Sequence, residues 1–222
     1  MNAPLPAALL AAALGAGALL IAQTAQAADP SVAHPHTGVL PRVTGAPAAQ
    51  VLSAAEEATL LSGAPVYRQI KYATGDGGQG VAVFDVHADA DAVWKTILDF
   101  GAYPRMVDKV EKCEVYRRQN DQIFVRFVLE TLDIEYFIEH RYRPAEGYMS
   151  WTLDYARQSD LDDSVGYWLV RPAPGHPGYT RVEYSVGLRV SGWVPSWIQD
   201  MVARTGLEQA TTWLKVNSEA RG

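Results

Sequence analysis

The sequence predicts an α+β domain: a curved antiparallel β-sheet wrapped around one long C-terminal helix, with an apolar cavity between them. Three observations predict it. From about Lys112 to Val190, apolar and polar residues alternate with a period of two, the mark of strands with one covered face. The turns between these runs are short, which makes neighbouring strands antiparallel. One long helical pattern, opening at Pro195 and running to about Asn217, is available to cover the apolar face. A twisted sheet curved around a single helix leaves space between the two. The inward positions are Phe, Tyr, Trp, Leu, Ile and Val, so that space is apolar.

The elements follow in chain order. Residues 1–27 carry no charged side chain, and Ala7 to Ala22 is an unbroken run of Ala, Leu, Gly and Ile. The run is short for a membrane span, which needs roughly 20 residues. With Ala25-Gln26-Ala27 behind it as a cleavage pattern, it reads as a signal peptide cut near Ala27. The n-region lacks Lys and Arg, and the alternative is an uncleaved N-terminal anchor. No Cys lies near the cleavage site, which excludes lipid attachment there. The Ala-rich composition points to a high-GC bacterium, and so to a periplasmic or secreted protein. Residues 28–50, with Pro30, Pro35, Pro41 and Pro47, read as a Pro/Ala-rich linker or mobile arm. His34-Pro35-His36 within it reads as a solvated turn, because no third metal ligand lies nearby. The domain proper is residues 51–222.

Ser53-Ala54-Ala55-Glu56 is a capping box opening a short helix, with Leu60 and Leu61 on its apolar side and Gly63 and Pro65 as stops. Val66 to Ala73 and Gly80 to Val86 flank a Gly-rich turn and form a hairpin. Asp89 or Asp91 caps the next helix, whose Val93, Trp94, Ile97 and Leu98 recur at helical spacing. Strands then run to Val190. On the last helix Asp200, Arg204, Glu208 and Lys215 share one side. The rest of the circumference is apolar, except that Thr205, Gly206 and Gln209 interrupt it.

The run Val93-Trp94, Leu98-Asp99, Tyr103-Pro104 and Val110, following the strand Val81 to Val86, resembles the opening of START-like, helix-grip domains. Gly166 and Trp168 before Pro172, Thr180 with Val182 and Tyr184, and Pro195 at the helix start agree with it. That superfamily includes polyketide cyclases, lipid-transfer proteins and the coenzyme-Q-binding protein of the respiratory chain. The resemblance covers about residues 52 to 220 and implies a ligand cavity between sheet and helix, without implying one reaction. Bacterial relatives often carry Trp and Pro shortly after the Tyr-Pro pair, where this chain has Met106 and Asp108, so the entrance loop differs in shape.

Composition narrows the function. Lys and Arg number 19 against 25 Asp and Glu, a net charge of -6, which argues against a nucleic-acid partner. The single Cys, Cys113, makes no internal disulfide and no zinc cluster, and reads as a buried thiol. Asp154, Asp160, Asp162 and Asp163 read as a solvated acidic loop, since their spacing matches no calcium loop. There is no phosphate loop, no nucleophile elbow and no His-Glu-x-x-His. Neither a metal nor a cofactor is expected.

The candidate ligand-binding residues are Phe127, Tyr136, Ile138, His140, Trp151, Leu153, Trp168, Tyr184, Val186 and Leu188 on the sheet, with Met201, Val202, Thr205 and Gln209 on the helix. Thr205 and Gln209 are the preferred orienting groups. Tyr136 and Tyr184 either offer hydroxyls to a ligand or fill the core. His140 points inward by parity, as a general base or as a hydrogen-bonded core residue. Two readings of function follow. The first is binding or transport of a lipid, sterol, quinone or similar hydrophobic molecule by a monomer with transient membrane or transporter contact. The alternative is a cyclase or dehydratase acting on a polyketide-like substrate with His140 as base. Export argues against the enzyme, because such pathways use cytosolic carriers. A weaker third option is an interaction partner without ligand.

Overall fold

The computed structural model describes residues 29–71, 77–130, 134–190 and 204–222. Residues 1–28, among them the segment expected to direct export, the tip of the first hairpin, and the stretch holding Pro195, Met201 and Val202 lie outside the described residues, as does the side chain of Thr205. The described elements are α1 (Ala54–Leu61), β1 (Val66–Lys71), β2 (Gly77–Val86), α2 (Ala90–Leu98), α3 (Tyr103–Met106), β3 (Val110–Gln119), β4 (Gln122–Leu129), β5 (Ile134–Arg143), β6 (Tyr148–Leu153), β7 (Asp163–Pro172), β8 (Thr180–Arg189) and α4 (Arg204–Glu219). The strands form one antiparallel sheet in the order β1-β2-β8-β7-β6-β5-β4-β3. Helix-grip architecture is the observed fold, with α4 packed on β2 and α2.

Local chemistry sets the helix ends. The Ser53 hydroxyl accepts from the Glu56 amide while the Glu56 carboxylate accepts from the Ser53 amide, the reciprocal bonding of a capping box. Those bonds and Arg68 hold the Glu56 carboxyl down at about 2. At α2 the cap is Asp89, whose Oδ1 accepts the Ala92 amide at 2.7 Å.

The convex face of the sheet differs from the expectation of one wet side. Residues 29–50 are a strap laid across it, and α1 continues the cover. Val43 packs on Tyr148, Tyr167 and Leu169, and Leu52 and Leu60 pack on Val81 and Val83. The strap's amides are satisfied by buried carboxylates of the sheet, as buried backbone requires. Asp163 accepts from the Val39 and Leu40 amides, both at 2.7 Å, and Glu183 accepts from the Gln50 amide at 2.9 Å. Arg181 lies fully buried beneath α1, paired with buried Asp85 at 2.8 Å and with Glu57 at 2.8 Å. Hence β7 and β8 are buried on both faces, while β3, beyond the strap, exposes its outer residues.

Two expectations fall with this. The Pro-rich segment is fixed against the domain over its described length, and its His34 is buried among the residues 154–162 that follow β6. Nor is the acidic loop solvated, for its carboxylates are structural acceptors. Asp154 takes the Tyr116 hydroxyl at 2.6 Å, Asp160 takes the Glu135 amide at 2.7 Å, and Asp163 also takes the Tyr155 hydroxyl at 2.6 Å.

Candidate functional site

The concave face and α4 enclose a cavity of about 300 Å³. Alternation along each strand supplies its wall, because every second side chain faces α4. Phe127 comes from β4, Tyr136, Ile138 and His140 from β5, Trp151 from β6, Trp168 from β7, and Tyr184, Val186 and Leu188 from β8. Leu153 shares their parity but lies fully buried in the core, outside the cavity wall. From α4 come Gly206, Gln209, Ala210 and Trp213.

The rings are organised in pairs. Phe127 and Tyr136 stack with centroids 5.1 Å apart, and Trp151 stacks on Tyr184 at 5.8 Å. Trp168 meets Tyr184 at 4.3 Å and stands edge-on to Trp213 at 6.2 Å. Gly166 permits this arrangement. A Cβ there would collide with the Trp151 ring and with the Ser185 carbonyl, so only glycine fits under the indole.

His140 sits among Phe100, Phe127 and Trp151, with ring centroids 5.1, 6.5 and 6.2 Å away. Burial among these rings holds its pKa down to about 3, against the opposing pull of the Ile123 carbonyl, so the imidazole is neutral. Its Nδ1 makes no hydrogen bond among the described residues. Burial raises the pKa values of Tyr136 and Tyr184, and both phenols stay protonated. Tyr103 is buried as well, but its hydroxyl is already committed to the Ile97 carbonyl at 2.6 Å. Trp151 donates to the Ser164 hydroxyl at 3.4 Å. Among the described lining residues, charge is confined to the mouth, where Asp108 and Lys109 are exposed. Lys109 holds a left-handed φ of 67°, and its carbonyl accepts the Glu130 amide at 2.9 Å. Gln209 is at the mouth too, exposed, with its amide 3.4 Å from the Asp108 carboxylate. It is placed to meet a molecule at the entrance, not to orient one deep inside.

Sequence reasoning missed Tyr103, Val107, Val110, Leu129, Leu161 and Ser164 as wall residues. The parity of Leu129 with Phe127 could have found it. Tyr103 and Val107 stand in and just after the four-residue helix α3 and Leu161 in a loop, all too short to show a period. Cys113 is buried in the same core, and burial pushes its thiol pKa up, so it is an unreactive apolar filler. Among the described residues the deep cavity is thus neutral and aromatic, with one imidazole, three phenols and the Ser164 hydroxyl as its polar groups.

Comparison with known proteins agrees with this architecture. A START superfamily protein from Mycobacterium smegmatis superposes with a TM-score of 0.51 at 21% identity, over 65% of this chain and 99% of its own. The STAR-related lipid transfer protein of Xanthomonas axonopodis gives a TM-score of 0.56 at 13% identity, covering 69% of this chain and 93% of its own. The Zhui aromatase/cyclase of Streptomyces sp. R1128 gives 0.53 at 15%, covering 70% and 96%. These likenesses are of fold. No curated protein sequence matches the chain. The family model described as polyketide cyclase / dehydrase and lipid transport matches residues 78–212. That match takes in β2 through most of α4, more than half of the sequence, and the chain belongs to this family.

Proposed function

We propose that the protein binds and carries one small hydrophobic molecule, such as a single-chain lipid, a sterol or a quinone, through the periplasm. The observation that carries this reading is the aromatic interior of the cavity, uncharged among the described residues. Each CH₂ moved from water into such a wall contributes about 0.8 kcal/mol, which is how an insoluble molecule is held. A volume of about 300 Å³ is at the lower end for ligand cavities and favours a one-chain or few-ring molecule over a two-chain phospholipid. The uncharged, Ala-rich first 27 residues support export. Family membership is compatible with carriage and with cyclase chemistry alike. A base at His140 is disfavoured by its depressed pKa, since an imidazole that resists protonation is a weak proton acceptor at neutral pH.

Protein purified without detergent is expected to release a hydrophobic molecule into organic solvent, detected by mass spectrometry. An empty protein that also fails to bind a fluorescent fatty acid or a quinone probe rejects the reading. Gly206→Leu adds bulk on the α4 side of the cavity and should weaken probe binding about tenfold or more. Unchanged affinity for that variant would place the ligand elsewhere.

A further inference from the structure

We infer that His34 and His36 of the strap, with Asp162 before β7, form a binding site for a divalent transition-metal ion of the zinc class. The pair is His-Pro-His. Proline holds its own φ near −65° and pushes the residue before it to extended backbone. The chain then bends over Pro35 to Thr37, and the fold brings both imidazoles to Asp162. The two imidazoles stand edge to face with centroids 4.7 Å apart. The third group, absent from the neighbouring sequence, arrives by folding from 126 residues away.

One nitrogen from each imidazole and one Asp162 carboxylate oxygen all lie within 4.8 Å of one another. His36 Nε2 is 3.2 Å from Asp162 Oδ1. Ligand atoms on a tetrahedral zinc ion, at about 2.0–2.1 Å from the metal, are separated by about 3.3 Å. The other carboxylate oxygen, Oδ2, is held by Arg189 Nε at 3.2 Å, which orients Oδ1 toward the imidazoles. Ligating carboxylates are commonly oriented by such a second partner. His34 is buried, but the side chains of His36 and Asp162 keep 27% and 19% exposure, leaving an entry path and an open coordination position.

Hydrogen bonds to neighbouring groups hold both rings. Each Nε2 faces Asp162, His34 toward its carbonyl at 2.8 Å and His36 toward its carboxylate. Each Nδ1 accepts a backbone amide, from Ser159 at 3.4 Å for His34 and from Gly38 at 3.0 Å for His36. An ion bound at Nε2 requires the neutral ring to carry its proton on Nδ1. His34 loses only a long bond by this, whereas His36 gives up a good one to Gly38. Affinity is therefore lower than in a closed four-ligand site. Two imidazoles and one carboxylate select zinc, copper or nickel over magnesium and calcium. Bound there, the ion fastens the strap to the segment between β6 and β7, next in sequence to the wall residue Leu161.

The test uses the tag-free full chain, stripped with chelator, and zinc chloride as the probe. Calorimetry should show one equivalent bound and a raised melting temperature, with magnesium at equal concentration inert. His36→Gln and Asp162→Asn should each weaken zinc binding about tenfold or more. Both variants should keep the wild-type circular dichroism spectrum in chelator, and His87→Ala should bind as wild type does. Cobalt in place of zinc should give the absorption of a nitrogen-and-oxygen site. No uptake of zinc by the wild type overturns the inference, and so does uptake that both cluster variants leave unchanged.

Discussion

His140 joins the cavity to the acid stability of the fold. Its pKa falls from 6.5 to about 3 on burial among aromatic rings, so the unfolded chain binds a proton that the folded one refuses. The unfolded state therefore holds more protons throughout the interval between those values. Stability from this residue is complete above about 6.5 and is lost as pH drops toward about 3, at about 1 kcal/mol per pH unit. Replacing His140 by Phe, which keeps an aromatic ring against Phe100, should flatten that slope. Urea midpoints of the two proteins across the interval measure it, and parallel curves would mean that His140 stays accessible to protons when folded. Gly166 offers a sharper prediction. Gly166→Ala forces its methyl against the Trp151 ring and the Ser185 carbonyl, and should destabilise by about 1–3 kcal/mol while disturbing probe binding. Wild-type stability and affinity would refute the close packing there. Parity along β5 was enough to turn Tyr136, Ile138 and His140 inward. It could not separate Leu153, which faces the same way but lies deeper than the cavity wall, because depth depends on sheet curvature and not on alternation.

Between elements, the convex layer is held by charge as well as by apolar contact. Arg181 is fully buried and has Asp85 and Glu57 as partners, the second from α1. Removing Asp85 leaves a buried guanidinium with one partner at the layer's edge. Asp85→Ala should cost about 3–5 kcal/mol, against about 1 kcal/mol for half-exposed Glu57→Gln, as read from chemical denaturation. Equal losses would mean that α1, not the sheet, holds the arginine. The helix α1 itself was legible, because a capping box and a Gly stop are local signals. The strap was not. Its prolines and small residues carry no period, and its anchors, Asp163 and Glu183, lie more than a hundred positions away and read on their own as loop and strand charges.

At the scale of the molecule, the eight-stranded sheet followed from alternation and short turns, and the cavity followed from having one helix to cover it. Cover on the outer face did not follow, since period-two alternation of charged and apolar residues is the same whether water or a strap meets the charged side. The resulting domain has three layers over β2, β8 and β7, but two over β3 to β5. The thin half supplies Phe127, Tyr136 and His140 to the cavity wall. The thick half holds the chain's two-sided strands. An order of events in folding is built into this sheet. From β3 to β8 every strand pairs with its sequence neighbour, so six strands can zip together through hairpins closed one after another. Only the seam between β2 and β8 joins distant chain, with Gly77 beside Arg189 and Val86 beside Thr180, about a hundred positions apart. Closing that seam carries the largest loop entropy and completes the grip on α4, so it belongs to the slow step. A mutation at Val83 or Val182 should therefore slow refolding more, for the same lost stability, than one at Val125, and stopped-flow refolding of the three variants would time the seam directly.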